Sequence, residues 1–171
     1  AMVVGKPKLD HLVLPNSVDN YLYAGFTDIQ VKNEAIRIIE DGLPDILFVH
    51  LPNVDSAGHA TGWMSTGQLL AVSLTDGFIG EIITALENGD YLGSTLIIVT
   101  SDHGGSDNSH GTDSLEDTTI PWLAVGPGVL QGTTLSSQII IYDTAATVLY
   151  ALNVPIPPEW DGKPVLEIFG Q

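Results

Sequence analysis

The 171-residue sequence predicts a layered α/β fold, and three observations predict it. Apolar runs at 45–51 and 95–100 have the composition of strands covered on both faces. Helical periodicity fills 28–41 and 65–89, so strands and helices alternate. The run at 95–100 ends in a polar, glycine-rich loop, the place where ligands gather in open parallel sheets.

In chain order, residues 1–26 read as irregular. Ala1-Met2 reads as an addition ahead of a short polar lead-in, and Leu12-Val13-Leu14 is stopped by Pro15. Thr27-Asp28-Ile29-Gln30 matches a capping box, and Val31, Ala35, Ile38 and Ile39 follow at helical spacing. Gly42 and Pro44 close that helix. Asp45 to Leu51 is the first buried strand, closed by Pro52, and its exit loop carries Asp55-Ser56-Ala57-Gly58-His59.

Ser65 to Gln68 forms a second capping box and opens a long helix ending near Gly89. Its expected inward stripe is Leu69, Val72, Ile79, Ile83 and Leu86, with Asp76 inside it as a structural carboxylate that needs a partner. The strand at 95–100 is expected in a parallel sheet. Ile120 to Val125 is a third strand, with Pro121 at its first residue or at an edge. Asp143 is placed as the N-cap of a helix through about Leu152, and a Pro-rich tail follows. Three strands make a thin sheet that needs cover, so the chain reads as a single partial domain, 1–171, of something larger.

At 44% hydrophobic the chain can bury a core. With 21 Asp+Glu against 5 Lys+Arg its net charge is −16, a field that repels nucleic-acid polymers and anionic membranes. An anionic substrate then needs a local positive centre, and bound cations supply one. The absence of cysteine excludes disulfides, thiolate metal sites and a cysteine nucleophile. No apolar run is read as membrane-spanning and no signal-peptide pattern opens the sequence, which leaves the compartment open.

The chemistry sits on two loops. Asp55 and His59 are four apart and can reach one ion from a single turn, with Gly58 letting the backbone bend close to it. With His110 they make three N/O ligands and leave a fourth position open, the pattern of a catalytic zinc site. Asp102 and His103 are adjacent and on a regular strand would point to opposite faces; a strand end running into Gly104-Gly105 can break that alternation. Two ligands do not hold a zinc ion, so a second site built on them is incomplete in this sequence. His50 reads as a packing residue, His11 as solvated, and Asp107, Asp113, Glu116 and Asp117 as surface loop residues, some with a role in orienting the histidines.

Phe48-Val-His-Leu-Pro-Asn-Val-Asp55-Ser-Ala-Gly-His59, Leu96-Ile-Ile-Val-Thr-Ser-Asp102-His103-Gly-Gly and Ser109-His110-Gly111 resemble the later metal motifs of the alkaline phosphatase superfamily. Within it they are most similar to the type I phosphodiesterase/nucleotide pyrophosphatase family. Thr119 to Gly128, Tyr142 to Tyr150 and Asp161 to Val165 resemble that family's C-terminal portion. The resemblance implies a three-layer α/β/α sandwich with a mostly parallel central sheet, of which this chain is the C-terminal part. It implies two Zn2+ ions, one held by Asp55, His59 and His110 and the other shared by Asp102 and His103.

The resemblance also implies a hydrolase of phosphodiester or pyrophosphate bonds acting on a small phosphate ester or nucleotide. Sulfatase, phosphomonoesterase and phosphomutase chemistry belong to the same superfamily, and a non-catalytic metal-binding module keeps the same loops. The family's Thr or Ser nucleophile and one further Asp ligand precede everything that matches here. The expectation is therefore a missing N-terminal half or an oligomer partner, and a fragment that is inactive alone. The resemblance leans toward an exported parent.

Overall fold

The computed structural model describes residues 1–170 and is mixed α/β, with a small parallel sheet flanked by helices. Two compact units form, Ala1–Leu92 with Gly105–Asp117, and Gly93–Gly104 with the segment from Thr118 onward.

In the first unit β1 (Met2–Val4), β2 (Tyr21–Tyr23) and β3 (Phe48–His50) make a parallel sheet in the order β2-β1-β3. All three β1 residues are buried, so both faces of the central strand are covered. This corrects the reading of residues 1–26 as irregular. Three residues are too few for a strand period to show, and Gly5 and Pro7 break the pattern at once. Gly5 is required where it stands, because a Cβ there would lie 2.4 Å from the Pro52 ring. The end of β1 therefore runs directly against the start of the next helix but one.

Helix α1 (Asp28–Asp41) spans the residues the sequence predicts. Gln30 Oε1 accepts from the Thr27 N–H at 3.2 Å, and Gly42 takes a φ of +129° at the other end. Val31 and Ile38 pack on Val3, with Leu47, Val49 and Leu51 around them. Fully burying such aliphatic side chains stabilises by roughly 1.5–3 kcal/mol each.

The segment after β3, expected as a loop, is helix α2 (Asn53–Thr61). It is pinned to α1 by a reciprocal pair. Asp28 Oδ1 accepts from the Asn53 N–H at 2.9 Å, and Asn53 Oδ1 accepts from the Asp28 N–H at 3.2 Å. Asp28 is fully buried, and its other oxygen accepts from the Thr75 hydroxyl.

Thr75 lies on α3 (Thr66–Asn88), whose cap is the predicted one, Ser65 accepting from the Gln68 N–H at 3.2 Å. The inward face of α3 differs from the expected stripe. Gln68, Thr75, Ala85 and Leu86 are buried, whereas Leu69, Val72 and Asp76 are exposed. Apolar residues run nearly all round this helix, so periodicity picks no single face; the polar pins to α1 and α2 do, among them Lys32 Nζ to Glu81 at 2.8 Å. By length and composition alone α3 could cross a membrane, contrary to the sequence reading. A short helix, α4 (Leu115–Thr118), ends the loop that completes this unit.

In the second unit β4 (Ile97–Thr100) pairs with β5 (Trp122–Val125) antiparallel, Ile97 opposite Val125 and Thr100 opposite Trp122. The expected parallel partner for the 95–100 run is corrected: an apolar run reports cover, not strand direction, and β4 is only half-buried. Pro121 directly precedes β5, which begins at Trp122 rather than at the expected Ile120. Helix α5 (Asp143–Ala151) starts at Asp143, and its N-cap is Tyr142. The Asp143 carboxylate instead accepts from the Ile140 and Lys163 N–H groups, each at 2.9 Å.

Candidate metal centre

Helix α2 places Asp55 in its first turn and His59 in its last, one turn apart on one face. Asp55 Oδ1 stands 3.4 Å from His59 Nε2 and 3.6 Å from His110 Nε2. The three ligand atoms lie within 4.8 Å of one another. Two donors on one tetrahedral ion with bonds of about 2.0–2.1 Å stand roughly 3.3–3.4 Å apart, so the trio fits a divalent cation such as zinc.

The tautomer fits as well. His59 Nδ1 donates to the Asn108 carbonyl at 2.9 Å, so the neutral ring keeps its lone pair on Nε2, which is turned toward Asp55. Asn108 Nδ2 donates back to the His59 carbonyl at 3.2 Å. Asp55 Oδ2 is held separately, in an ion pair with Lys6 Nζ.

His110 sits on a loop with little regular structure, so side chains must shape it. Ser106 and Ser109 exchange backbone hydrogen bonds at 3.0 Å around Asp107, whose φ is +49°. Asp117, read from sequence as a surface residue, is 3% exposed. Its carboxylate accepts from the Thr112 N–H and hydroxyl at 2.8 Å each and from the Ser106 hydroxyl at 3.2 Å. Those bonds, led by the Thr112 N–H, hold its carboxyl below the ordinary carboxylate range. Asp113 and Glu116 are exposed, as expected.

Trp63 completes the frame. Its indole meets His59 edge-on with centroids 5.2 Å apart and His110 at 5.8 Å. A Cβ on Gly105 would lie 2.1 Å from the indole, and one on Gly58 2.8 Å from it. Gly58 therefore makes room for Trp63 and for the Gln68 amide. Lys6, Trp63 and Asn108 are not legible in sequence as neighbours of the trio, whereas Asp117 belongs to the loop residues among which some are expected to orient the histidines. Lys6 and Asn108 meet the trio across 49 residues of sequence, and no short motif carries that signal.

In the second unit Asp102 and His103 do converge, His103 Nε2 standing 3.7 Å from Asp102 Oδ2. His103 Nδ1 donates to the Gly104 carbonyl at 2.7 Å, again turning Nε2 outward. Among the described residues these two form a pair rather than a three-ligand cluster. His11 is 85% exposed, as expected, and His50 closes β3.

Residues 10–125 match the model of the type I phosphodiesterase / nucleotide pyrophosphatase family. The chain belongs to that family. A 2,3-bisphosphoglycerate-independent phosphoglycerate mutase of Antithamnion sp. is 25% identical over 96% of the chain and 30% of its own length. The enzyme of that name from Clostridium tetani is 30% identical over 81% of the chain and 27% of its own length. Human arylsulfatase K is 32% identical over 55% of the chain and 18% of its own length.

The chain thus spans under a third of the length of these curated relatives. The crystal structure of Ps i-CgsB superposes with a TM-score of 0.61, covering 90% of this chain and 40% of that one at 18% identity, a likeness of fold. The relatives agree at the level of the alkaline phosphatase superfamily, metal-dependent enzymes that include hydrolases and mutases.

Proposed function

We propose that this chain is the metal-holding part of a two-zinc hydrolase of phosphodiester or pyrophosphate bonds. The reading rests on one observation above all: Asp55, His59 and His110 bring three ligand atoms within 4.8 Å of one another, with Asp55 Oδ1 3.4 and 3.6 Å from the two imidazole nitrogens. Asp102 and His103 contribute to a second ion. When bound, such cations supply Lewis-acid stabilisation of phosphoryl charge in an in-line displacement. The chain's own residues bind and orient. Asp55 sets the spacing, Asn108 fixes the His59 proton, and Asp117 shapes the loop that offers His110.

A hydroxyl nucleophile and a further carboxylate ligand come from chain outside this sequence, a reading supported by the fraction of each relative that is matched. Expected, then, is no release of nitrophenol from a phosphodiester by the 171-residue chain with zinc; turnover refutes this. In the complete protein, Asp102→Ala and His110→Ala abolish phosphodiester turnover. The similarity to phosphoglycerate mutases and arylsulfatase K favours a second reading, phosphomutase or sulfate-ester chemistry on the same centre. Parallel assays on a phosphodiester, a phosphomonoester and a sulfate ester separate the two.

A further inference from the structure

Only five side chains in the sequence are Lys or Arg, and one of them, Lys6, is placed against the candidate centre. It follows Gly5 at the end of β1, where the lack of a Cβ lets the backbone close on Pro52 at the start of α2. The Gly5 N–H donates to the His50 carbonyl at 3.2 Å, which fixes that junction. Lys6 thereby reaches Asp55 from two residues past the end of β1, where it caps the turn over Pro7–Leu12, and both side chains are largely buried, 24% and 17% exposed. The two oxygens of Asp55 are divided: Oδ2 takes the ammonium, and Oδ1 faces the two imidazoles.

We infer that Lys6 is a positioning residue of the metal centre, which engages one oxygen of Asp55 so that the carboxylate offers a cation only the other. This rests on the metal-centre reading above. A carboxylate can bind a cation through one oxygen or both, and the count sets the coordination number. With Oδ2 engaged, the protein contributes three donor atoms and the site stays tetrahedral with one open position. With Lys6 removed, Asp55 turns to bind through both oxygens, the coordination number rises, and the imidazole spacing no longer suits it.

Cobalt(II) titration of the 171-residue chain tests this, because tetrahedral cobalt absorbs strongly in the visible and higher coordination weakens the band. Lys6→Met is expected to lose roughly half or more of that intensity and to bind cobalt about ten- to a hundredfold more weakly. Lys6→Arg restores both. Loss of a nearby positive charge, acting alone, would tighten cation binding, so the direction of change separates positioning from bulk electrostatics. An unchanged band or tighter binding in Lys6→Met overturns the inference, and Lys6→Ala is read by the same criteria should the Met variant not fold. Asp55→Ala is the control. Failure of the wild-type chain to bind cobalt, or unchanged binding by Asp55→Ala, overturns the metal-centre reading itself and the Lys6 inference with it.

Discussion

His59 Nδ1 lies 2.9 Å from the carbonyl oxygen of Asn108, and Asn108 Nδ2 lies 3.2 Å from the carbonyl of His59. The pair ties helix α2 to the loop that bears His110 by two bonds of opposite sense. One of those bonds also decides which ring nitrogen of His59 can meet a cation.

The coupling of loop to centre makes Asp117 a sensitive position. Asp117→Ala leaves the Thr112 N–H and the Ser106 and Thr112 hydroxyls without their acceptor and frees the loop around His110. Zinc affinity, read by competition with a chromophoric chelator, is expected to fall about ten- to a hundredfold. The wild-type carboxyl is held below its ordinary range, so its contribution is complete at neutral pH and fades as pH falls through that range.

Zinc itself should stabilise the fold through the same residues. At a free concentration about a hundredfold above Kd, a ligand that binds only the folded state adds about 2.7 kcal/mol. Urea unfolding with zinc and with EDTA should show that difference in wild type and none in His110→Ala.

Gly105→Ala should fail sterically. The added methyl would meet the Trp63 indole at 2.1 Å, and the ring cannot retreat without disturbing His59 and His110. A loss on the order of 1–3 kcal/mol in urea unfolding is expected, with a shifted Trp63 emission.

Asp28→Ala removes a buried acceptor shared by the Asn53 N–H and the Thr75 hydroxyl. Each group left unsatisfied costs about 1–3 kcal/mol, and chemical denaturation measures the sum. Asp76→Ala, exposed on the same part of α3, should stay within about 0.5 kcal/mol of wild type.

Glu167 makes the second unit sensitive to acid. Its carboxylate accepts from the Ser136 and Ser137 N–H groups and the Ser136 hydroxyl, and these bonds hold its pKa down at about 2, against an ordinary 4.5. A depressed carboxyl stabilises the fold fully above its unfolded pKa, and that stability is lost as pH falls from about 4.5 toward 2. Glu167→Gln should flatten this part of the stability curve, followed by circular dichroism across an acid titration.

The parts of the fold and site that were legible in sequence are those encoded locally. The capping residues of α1 and α3 stand within four positions of the helices they start, and the Asp55–His59 spacing needs only one helical turn. What was illegible depends on distant partners. β1 is central because β2 and β3 flank it, yet its three residues carry no period. Asp117 looks like any acidic loop residue until Thr112 and Ser106 fold over it. The apolar surface of α3 is nearly continuous, so the choice of face came from Asp28 and Lys32, which lie on another helix.

The Asp28–Asn53 pair has an electrostatic consequence for the centre. The two residues open α1 and α2, so two helix N-termini, each worth about half a positive charge, converge on one carboxylate. One full negative charge balances two halves. An acidic residue in the first turn of a helix is ordinarily drawn into offsetting that macrodipole, and Asp55 stands in the first turn of α2. Because Asp28 already fills that role from the neighbouring helix, Asp55 is left to divide its two oxygens between Lys6 and the imidazoles.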